Sequence, residues 1–576
     1  MLLRGMQPVN IAEERPRIRG IIVCIVLFAV LIIGRLFMLQ IIKSKTYTER
    51  AEHQYLSPAA GSFDRGTIFF TSKDNSTIAA ATIASGFKIA ITPSSISDPE
   101  KVFDTLNAIT PIDRTEFDTK VAKKNDPYEE IANRISPEVA AAITEKGLPG
   151  VSVYREKWRF YPGGTLAANT LGFVSYKEND LIGRYGLERS YNDVLTRSPG
   201  SFYVNFFAEI FTNLQSALFQ NTQKTGDVVT SIEPTVQTQL DSTVLAIRAK
   251  WQSDNVGAVV LDPKTGEIIA MSNAPSFDAN DFSQVKDVSD FNNPIVEGMY
   301  EMGSIVKPLV MAAALEVGAV TPKTTYTDRG SVVVDDRTLN NFDKRGRGLA
   351  TMQDVLNQSL NTGMVFVEQK MGKAPLKEYL VDHYKLGEKT NVDLPGEIKG
   401  RLQNLNTPND VNYATAAFGQ GIATTPINIV RAYASIANGG TLITPHLARA
   451  IDEENGSTKV LEYPTIEGVL KPETITTITQ MLTTVVDVGY KRGLPHYTVA
   501  AKTGTAQIAK PDGTGYYDDR HLHSLIGFFP ATAPRFVVYF FNVNPKGVQF
   551  AAQSLSDPFF DTIQFLANYY GINPDR

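Results

Sequence analysis

Residues 303–318 read GSIVKPLVMAAALEVG, a run whose length and apolar character predict a buried helix entered from Gly303. Pro308 is tolerated in a helix only within the first turn, which sets Ser304 at or near the N-terminus. Ser304 and Lys307 then stand at i and i+3 on one face, about 5–6 Å apart at Cβ, so the amine can touch the hydroxyl. The free amides and the dipole of a helix start favour a developing oxyanion. Ser-x-x-Lys recurs at Ser85/Lys88 and Ser283/Lys286, but no such helix follows either.

Two further patterns come after this one. Ser-x-Asn occurs at Ser190/Asn192, Ser253/Asn255 and Ser359/Asn361. The last falls in TMQDVLNQSLNTGMVFV (351–367), where a helix meets a Gly-bearing break. Lys-Thr-Gly occurs at 224–226, at the hairpin tip 264–266, and at Lys502-Thr503-Gly504-Thr505, after the β-rich YTVAA and before a turn. Ser304/Lys307, Ser359/Asn361 and Lys502–Thr505 together suit acyl transfer, with Ser304 as the nucleophile. A lysine at its ordinary pKa of ~10.4 is protonated at neutral pH and a poor base. Burial and a second cation both disfavour that charge. With Lys307 and Lys502 in one site, one is neutral and acts as base while the other stays charged. Ser359 can relay a proton. Thr503 and Thr505, with Lys502, can bind a substrate carboxylate, and Gly504 lets a substrate backbone approach.

Around this core the texture is that of an α+β fold. From Gly226 the chain reads strand, turn and long helix (226–251), then a hairpin over 255–273, then helices to about 440. SLIGFFP and RFVVYFFNVNP read as strands, and SDPFFDTIQFLANYY as a closing amphipathic helix. Strands at both ends predict that the first and last share a sheet. Before Gly226, PEKVFDTLNAI (99–109) and SPEVAAAITEKG (136–147) read as short helices with N-terminal prolines. FYVNFFAEIFTNLQSALF (202–219) has helical apolar spacing and one charge, Glu209. Such a face packs on a neighbouring domain or meets a bilayer or a membrane partner.

Composition excludes several classes. The 576 residues are 43% hydrophobic and 20% charged, with a net charge of −5, which fits neither a largely disordered chain nor a basic nucleic-acid binder. Cys24 is the single cysteine, so an intrachain disulfide, a four-cysteine zinc site and an iron–sulfur cluster are out. HExxH is absent, and His521 and His523 read as shaping the strand edge beside the site, so neither metal nor cofactor is expected. There is no strand–GxSxG–helix elbow and no P-loop. Gly20–Gly34 carries no charge, and Ile18 to Leu39 is long enough to span a bilayer at ~20 residues. Arg35, rather than a small-residue cleavage site, follows the apolar run. The expected organisation is a cytoplasmic tail (1–17), a transmembrane anchor (18–42), a non-catalytic pedestal (43–225) and a catalytic domain outside the cytoplasm (226–576).

The ordered trio is that of penicillin-binding proteins and class A β-lactamases. Around it, GRLFMLQ, DRGTI (64–68), RFYP (159–162), GLE (186–188), GDVVTSIEPTVQ, LDPKTGEIIAM, YEMGSIVKP, NQSLNTG, VDLPGE, AFGQGIATTP, ANGG, AKTGTAQ and HSLIGFFP follow in order. On these the chain resembles a class B penicillin-binding protein, a peptidoglycan D,D-transpeptidase, more like the division-specific type. The resemblance implies a five-stranded antiparallel sheet flanked by helices, on an elongated pedestal in which Arg65, Arg159 and Glu188 form buried ion pairs. It implies an oxyanion hole made by the amides of Ser304 and Thr505, and an Asn361 that orients the substrate amide. Peptidoglycan stem peptides and β-lactams are the implied ligands, and a polytopic membrane glycosyltransferase the implied partner. No Glu-Asp dipeptide occurs, so the glycosyltransferase signature of bifunctional relatives is missing. A D,D-carboxypeptidase and a non-catalytic scaffold or β-lactam receptor of the same fold are the alternatives.

Overall fold

The computed structural model describes residues 27–28, 64–177, 180–197, 225–490, 493–510, 513 and 515–576. The expected anchor (18–42), apart from Leu27 and Phe28, and the segment 202–219 lie outside the described residues. Among the described residues no helix is long and apolar enough to cross a membrane. The chain divides into two compact units, one built on Ser85–Trp158 and one on Asp64–Ala84 with Arg159–Arg576.

Strands β1 (Ile68–Thr71) and β2 (Thr77–Ile91) form an antiparallel hairpin with Thr71 opposite Thr77. In the smaller unit the later part of β2 carries α1 (Pro99–Asn107), α2 (Arg114–Val121), β3 (Glu129–Ile135), α3 (Pro137–Glu145) and β4 (Val151–Phe160). Leu106, Phe117 and Ile143 of the helices close over Ile89 and Ile131. Helices α1 and α3 begin at the expected prolines, capped by Asp98 and Ser136 side chains that accept from Lys101 N and Val139 N.

In the larger unit β5 (Gly226–Thr230) runs parallel to β1 and antiparallel to the strand Ala448–Glu453. Then come α4 (Pro234–Trp251), β6 (Asn255–Leu261), β7 (Ile268–Ala274), α5 (Lys307–Glu316), α6 (Met352–Asn357), α7 (Asn361–Met371), α8 (Pro426–Ala437) and α9 (Pro472–Gly489). Strands β8 (Ala500–Ala509), β9 (Tyr516–Phe529) and β10 (Phe536–Val543) and helix α10 (Ala551–Tyr570) end the chain. The central sheet has five antiparallel strands in the order β8-β9-β10-β6-β7, so the first and last strands do share it.

Both faces of this sheet are covered, which is why its strands read as unbroken apolar runs. Val256, Ala258, Val260, Val538 and Phe540 point one way, onto Leu240 and Val244 of α4 and Leu555, Phe559 and Ile563 of α10. Val259, Leu261, Tyr539 and Phe541 point the other way, into the cluster that holds Leu309 of α5 and Ile427 of α8. Gly257 is bare because a Cβ there would lie 2.3 Å from the Phe541 ring.

Three expectations are corrected. Helix α10 starts at Ala551, five residues before the stretch SDPFFDTIQFLANYY that reads as helical, and carries Pro558 inside it. Lys502–Thr505 lie within a ten-residue strand rather than before a turn, because β8 keeps pairing with β9 as far as Ala509. The helical stretch to 440 contains two small two-stranded sheets, Thr325–Asp328 with Gly348–Thr351 and, between them in the chain, the hairpin Ser331–Val334 with Arg337–Asn340. Their four-residue strands are too short for a period-2 signal.

Candidate active site

A cleft of about 700 Å³ opens where the turn before α5, the break between α6 and α7, and edge strand β8 meet. Ser304, Ser359, Asn361, Thr503 and Thr505 line it. Ser304 sits in a single 3-10 turn, Gly303–Ile305, just ahead of α5. Gly303 has φ +59° and donates its amide to Gly419 O at 3.0 Å. Gly419, at φ +81°, has no room for a Cβ, which would fall 2.2 Å from Gly303 O. The turn that carries Ser304 is thus locked by two glycines lying backbone on backbone.

Ser359 occupies the break itself, with φ +54°, a left-handed conformation uncommon for a residue with a side chain. The break spans Gln358–Leu360, and Asn361 opens α7. Gly363, read from sequence as marking the break, lies inside α7. A Cβ there would meet Val355 at 2.3 Å, so its role is close helix packing.

Lys307 is fully buried beneath the cleft. Its Nζ donates to Ser359 O at 2.6 Å and Asn361 Oδ1 at 2.8 Å, and lies 3.2 Å from Ser359 Oγ. Lys502, also buried, donates to Ser359 Oγ at 3.1 Å and to Thr503 O at 3.0 Å. Two lysines therefore converge on one hydroxyl. Burial, and secondarily the Lys502 charge, holds Lys307 well below the ordinary lysine range. Burial draws Lys502 down to about 8. Among the described residues no carboxylate bonds either amine; their partners there are neutral oxygens, which do not offset the desolvation. The amine of Lys307 turns to Ser359 and Asn361 rather than to Ser304, an arrangement that can tighten when substrate binds.

Lys502 does not line the cleft but stands behind Ser359 and Thr503. Gly504 is also turned inward: a Cβ would lie 2.4 Å from Ser524 Oγ and 3.0 Å from Met302 O. Its bareness lets β8 approach the turn that carries Ser304. Thr505 Oγ1 accepts from Ala551 N at 3.0 Å, which leaves its hydroxyl proton free to donate into the cleft. Asn361 Nδ2 donates to Asn340 O at 2.9 Å, so both ends of its amide are fixed.

Sequence reasoning missed several walls of the cleft. Asn340 and Phe342 come from the hairpin Ser331–Asn340 and its exit, Phe418 and Gln420 from the AFGQG loop, and Gln549 and Phe550 from the approach to α10. Phe342 and Phe550 meet edge to face, with centroids 5.8 Å apart. AFGQG was visible as a motif, but no spacing rule ties its side chains to Ser304. His521 lines the cleft on β9, which is an interior strand; β8 is the edge. His523 is buried under α10 beside Ser554 Oγ at 2.8 Å and is pushed down to about 4 by that burial, so it is neutral.

The family described as the penicillin binding protein transpeptidase domain matches residues 256–564, and the penicillin-binding protein dimerisation domain matches residues 64–229. The chain is a class B penicillin-binding protein. It is 34% identical to stage V sporulation protein D of Bacillus subtilis over 93% of this chain and 83% of that protein. It is 27% identical to the peptidoglycan D,D-transpeptidase FtsI of Escherichia coli over 94% and 89% of the two chains. Among solved structures, penicillin binding protein 3 of Mycobacterium tuberculosis in complex with ampicillin matches with a TM-score of 0.67 and 25% identity, covering 89% of this chain and 96% of that one. This penicillin-binding protein therefore has the transpeptidase fold expected from its motif order.

Proposed function

We propose that this penicillin-binding protein is a serine-type peptidoglycan D,D-transpeptidase that cross-links stem peptides through an acyl-enzyme and is acylated by β-lactams. The observation that carries this reading is the pair of buried lysines meeting at Ser359 Oγ beneath Ser304. A neutral Lys307 donates to Ser359 O and Asn361 Oδ1 and keeps a lone pair. That lone pair takes the Ser304 proton as Oγ attacks the D-alanyl carbonyl. Lys502 stays charged behind Ser359, lowers the cost of the developing negative charge, and draws the substrate carboxylate to Thr503 and Thr505. Ser359, between the two amines, passes the proton on to the departing D-alanine. The amides of Ser304 and Thr505 hold the oxyanion. An amine from a second stem peptide then attacks the ester and releases the cross-linked product.

Names of relatives that include FtsI and a sporulation protein support a septal role. The uncharged run Gly20–Gly34 supports a single-pass anchor that holds the catalytic domain outside the cytoplasm, with 43–225 as its pedestal. The missing Glu-Asp signature supports a separate polytopic glycosyltransferase as partner. The test is intact-mass analysis after penicillin treatment. A single penicilloyl adduct mapped to Ser304, absent from a Ser304→Ala variant that still melts cooperatively, is the expected result. An adduct on Ser283 or Ser359 overturns the assignment.

A further inference from the structure

Cross-linking requires one polymer to supply both partners of the new amide, so its stem peptide bears a free amine as well as the acylating carbonyl. That amine is an ammonium at neutral pH, and a cleft that selects such a peptide as donor needs a carboxylate within its reach. Among the described residues that line the cleft, one carboxylate is present, Asp518. It lies near the start of β9 and is exposed, and no ion pair of it is formed among the described residues. The other titratable groups among the described residues lining the cleft are Lys344, Tyr516, and His521, which burial holds below the ordinary histidine value.

The register of the sheet sets the reach. Thr505 stands opposite His523, Gln507 opposite His521 and Ala509 opposite Tyr516, with an irregularity between the last two pairs. Asp518 therefore lies level with about residue 508, three residues along β8 from Thr505, or roughly 10 Å. A donor acylating Ser304 beside Thr505 places the side chain of its preceding residue one residue further on. One residue plus a four-carbon amine stem also spans about 10 Å. The start of β9 is held in place for this, because Tyr516 donates its hydroxyl to Glu301 Oε2 at 2.8 Å. Glu301 is half-buried, three residues before the nucleophile. Strand end and nucleophile turn are thus joined, and Asp518 keeps a fixed offset from Ser304.

We propose that Asp518 is the specificity residue that reads the side-chain ammonium of the donor peptide, on the residue preceding the acylated one. The assignment rests on the transpeptidase reading above. The test uses two synthetic thioester donors that differ only in whether this side-chain amine is free or acetylated, with penicillin labelling to count active sites in each preparation. On the unaltered protein the free-amine donor acylates Ser304 with a kcat/KM about fivefold higher, and added salt shrinks the ratio. Asp518→Asn brings the ratio to about one, and Asp518→Lys inverts it. A ratio that persists in Asp518→Asn overturns the proposal and moves the amine elsewhere. A ratio of one on the unaltered protein also overturns it, while leaving the transpeptidase reading intact. If neither donor acylates Ser304 although penicillin does, the transpeptidase reading fails and the proposal with it.

Discussion

At the scale of the residue, the two lysines are chemically alike and placed for different work. Lys307 is buried against neutral acceptors with another cation behind Ser359, so it is the group most easily kept neutral. Lys502, at about 8, is still mostly protonated at pH 7. Acylation should therefore fall on the acid side as Lys307 gains its proton, and on the alkaline side as Lys502 loses its own near pH 8. These limbs belong to the coupled pair rather than to either amine alone. Lys307→Arg cannot lose its proton and should fail at acylation about as badly as Lys307→Ala. Lys502→Arg keeps the charge and should retain more activity, and its alkaline limb should vanish because arginine does not titrate there. Stopped-flow acylation by a chromogenic cephalosporin from pH 5 to 10 checks both. The reverse order of the two arginine variants would exchange the roles.

At the scale of the element, the site is a strand edge set against a helix start, and Gly504 sets how closely they approach. A methyl at 504 would lie 2.4 Å from Ser524 Oγ and 3.0 Å from Met302 O. Gly504→Ala should cost about 1–3 kcal/mol of stability as an overpacked contact. It should slow penicillin acylation at least tenfold by easing β8 away from the Gly303 turn. Adding Ser524→Ala removes the nearer clash and should recover part of both losses in thermal melts and labelling rates; no recovery would place the cause elsewhere. The same junction shows what sequence can reveal. The helix after Ser304 was legible because Pro308 admits one register, and the β6–β7 hairpin because Asp-Pro-Lys-Thr-Gly punctuates two apolar runs. Ser359, Asn361 and Lys502 were legible only as a set in order. Phe342, Gln420 and Phe550 were not legible, since they reach the cleft by packing of separate loops that leaves no periodic trace. The left-handed Ser359 was hidden for a similar reason: its strain is imposed by the α6–α7 junction and not by its own preference.

At the scale of the whole molecule, the larger unit is assembled from distant pieces of chain. Residues 64–84 and 159–197 fold with the catalytic part; one polar group, Tyr191, reaches across to it, and a buried one, Glu188, ties the two pieces to each other. Tyr191 donates to Asp393 Oδ2 at 2.8 Å, and Asp393 in turn accepts from the amides of Leu447 and Ala448. Glu188, with no exposed side chain, accepts from Arg65 Nε at 2.7 Å, Arg159 Nε at 2.5 Å and the Tyr161 hydroxyl at 3.2 Å. The sequence reading of these three charged residues as a buried ion-pair cluster agrees with this geometry. Burial alone would raise the Glu188 carboxyl; the two guanidiniums, Arg159 first, hold it below its ordinary value instead. A depressed carboxylate stabilises the fold fully above its unfolded pKa of ~4.3 and loses that contribution as pH falls through the lower folded value. Glu188→Gln leaves two buried guanidiniums without a counter-charge and should cost about 3–5 kcal/mol at neutral pH. The loss should be read as a lowered melting temperature of the catalytic unit, and it should shrink as the pH is taken below 4, where the parent loses the same interaction. A Gln variant that melts like the parent at pH 7 would mean that the pair is offset by its own desolvation. The join would then rest on the apolar contacts of Ile68, Leu187 and Leu195 with Val228, all of them fully buried.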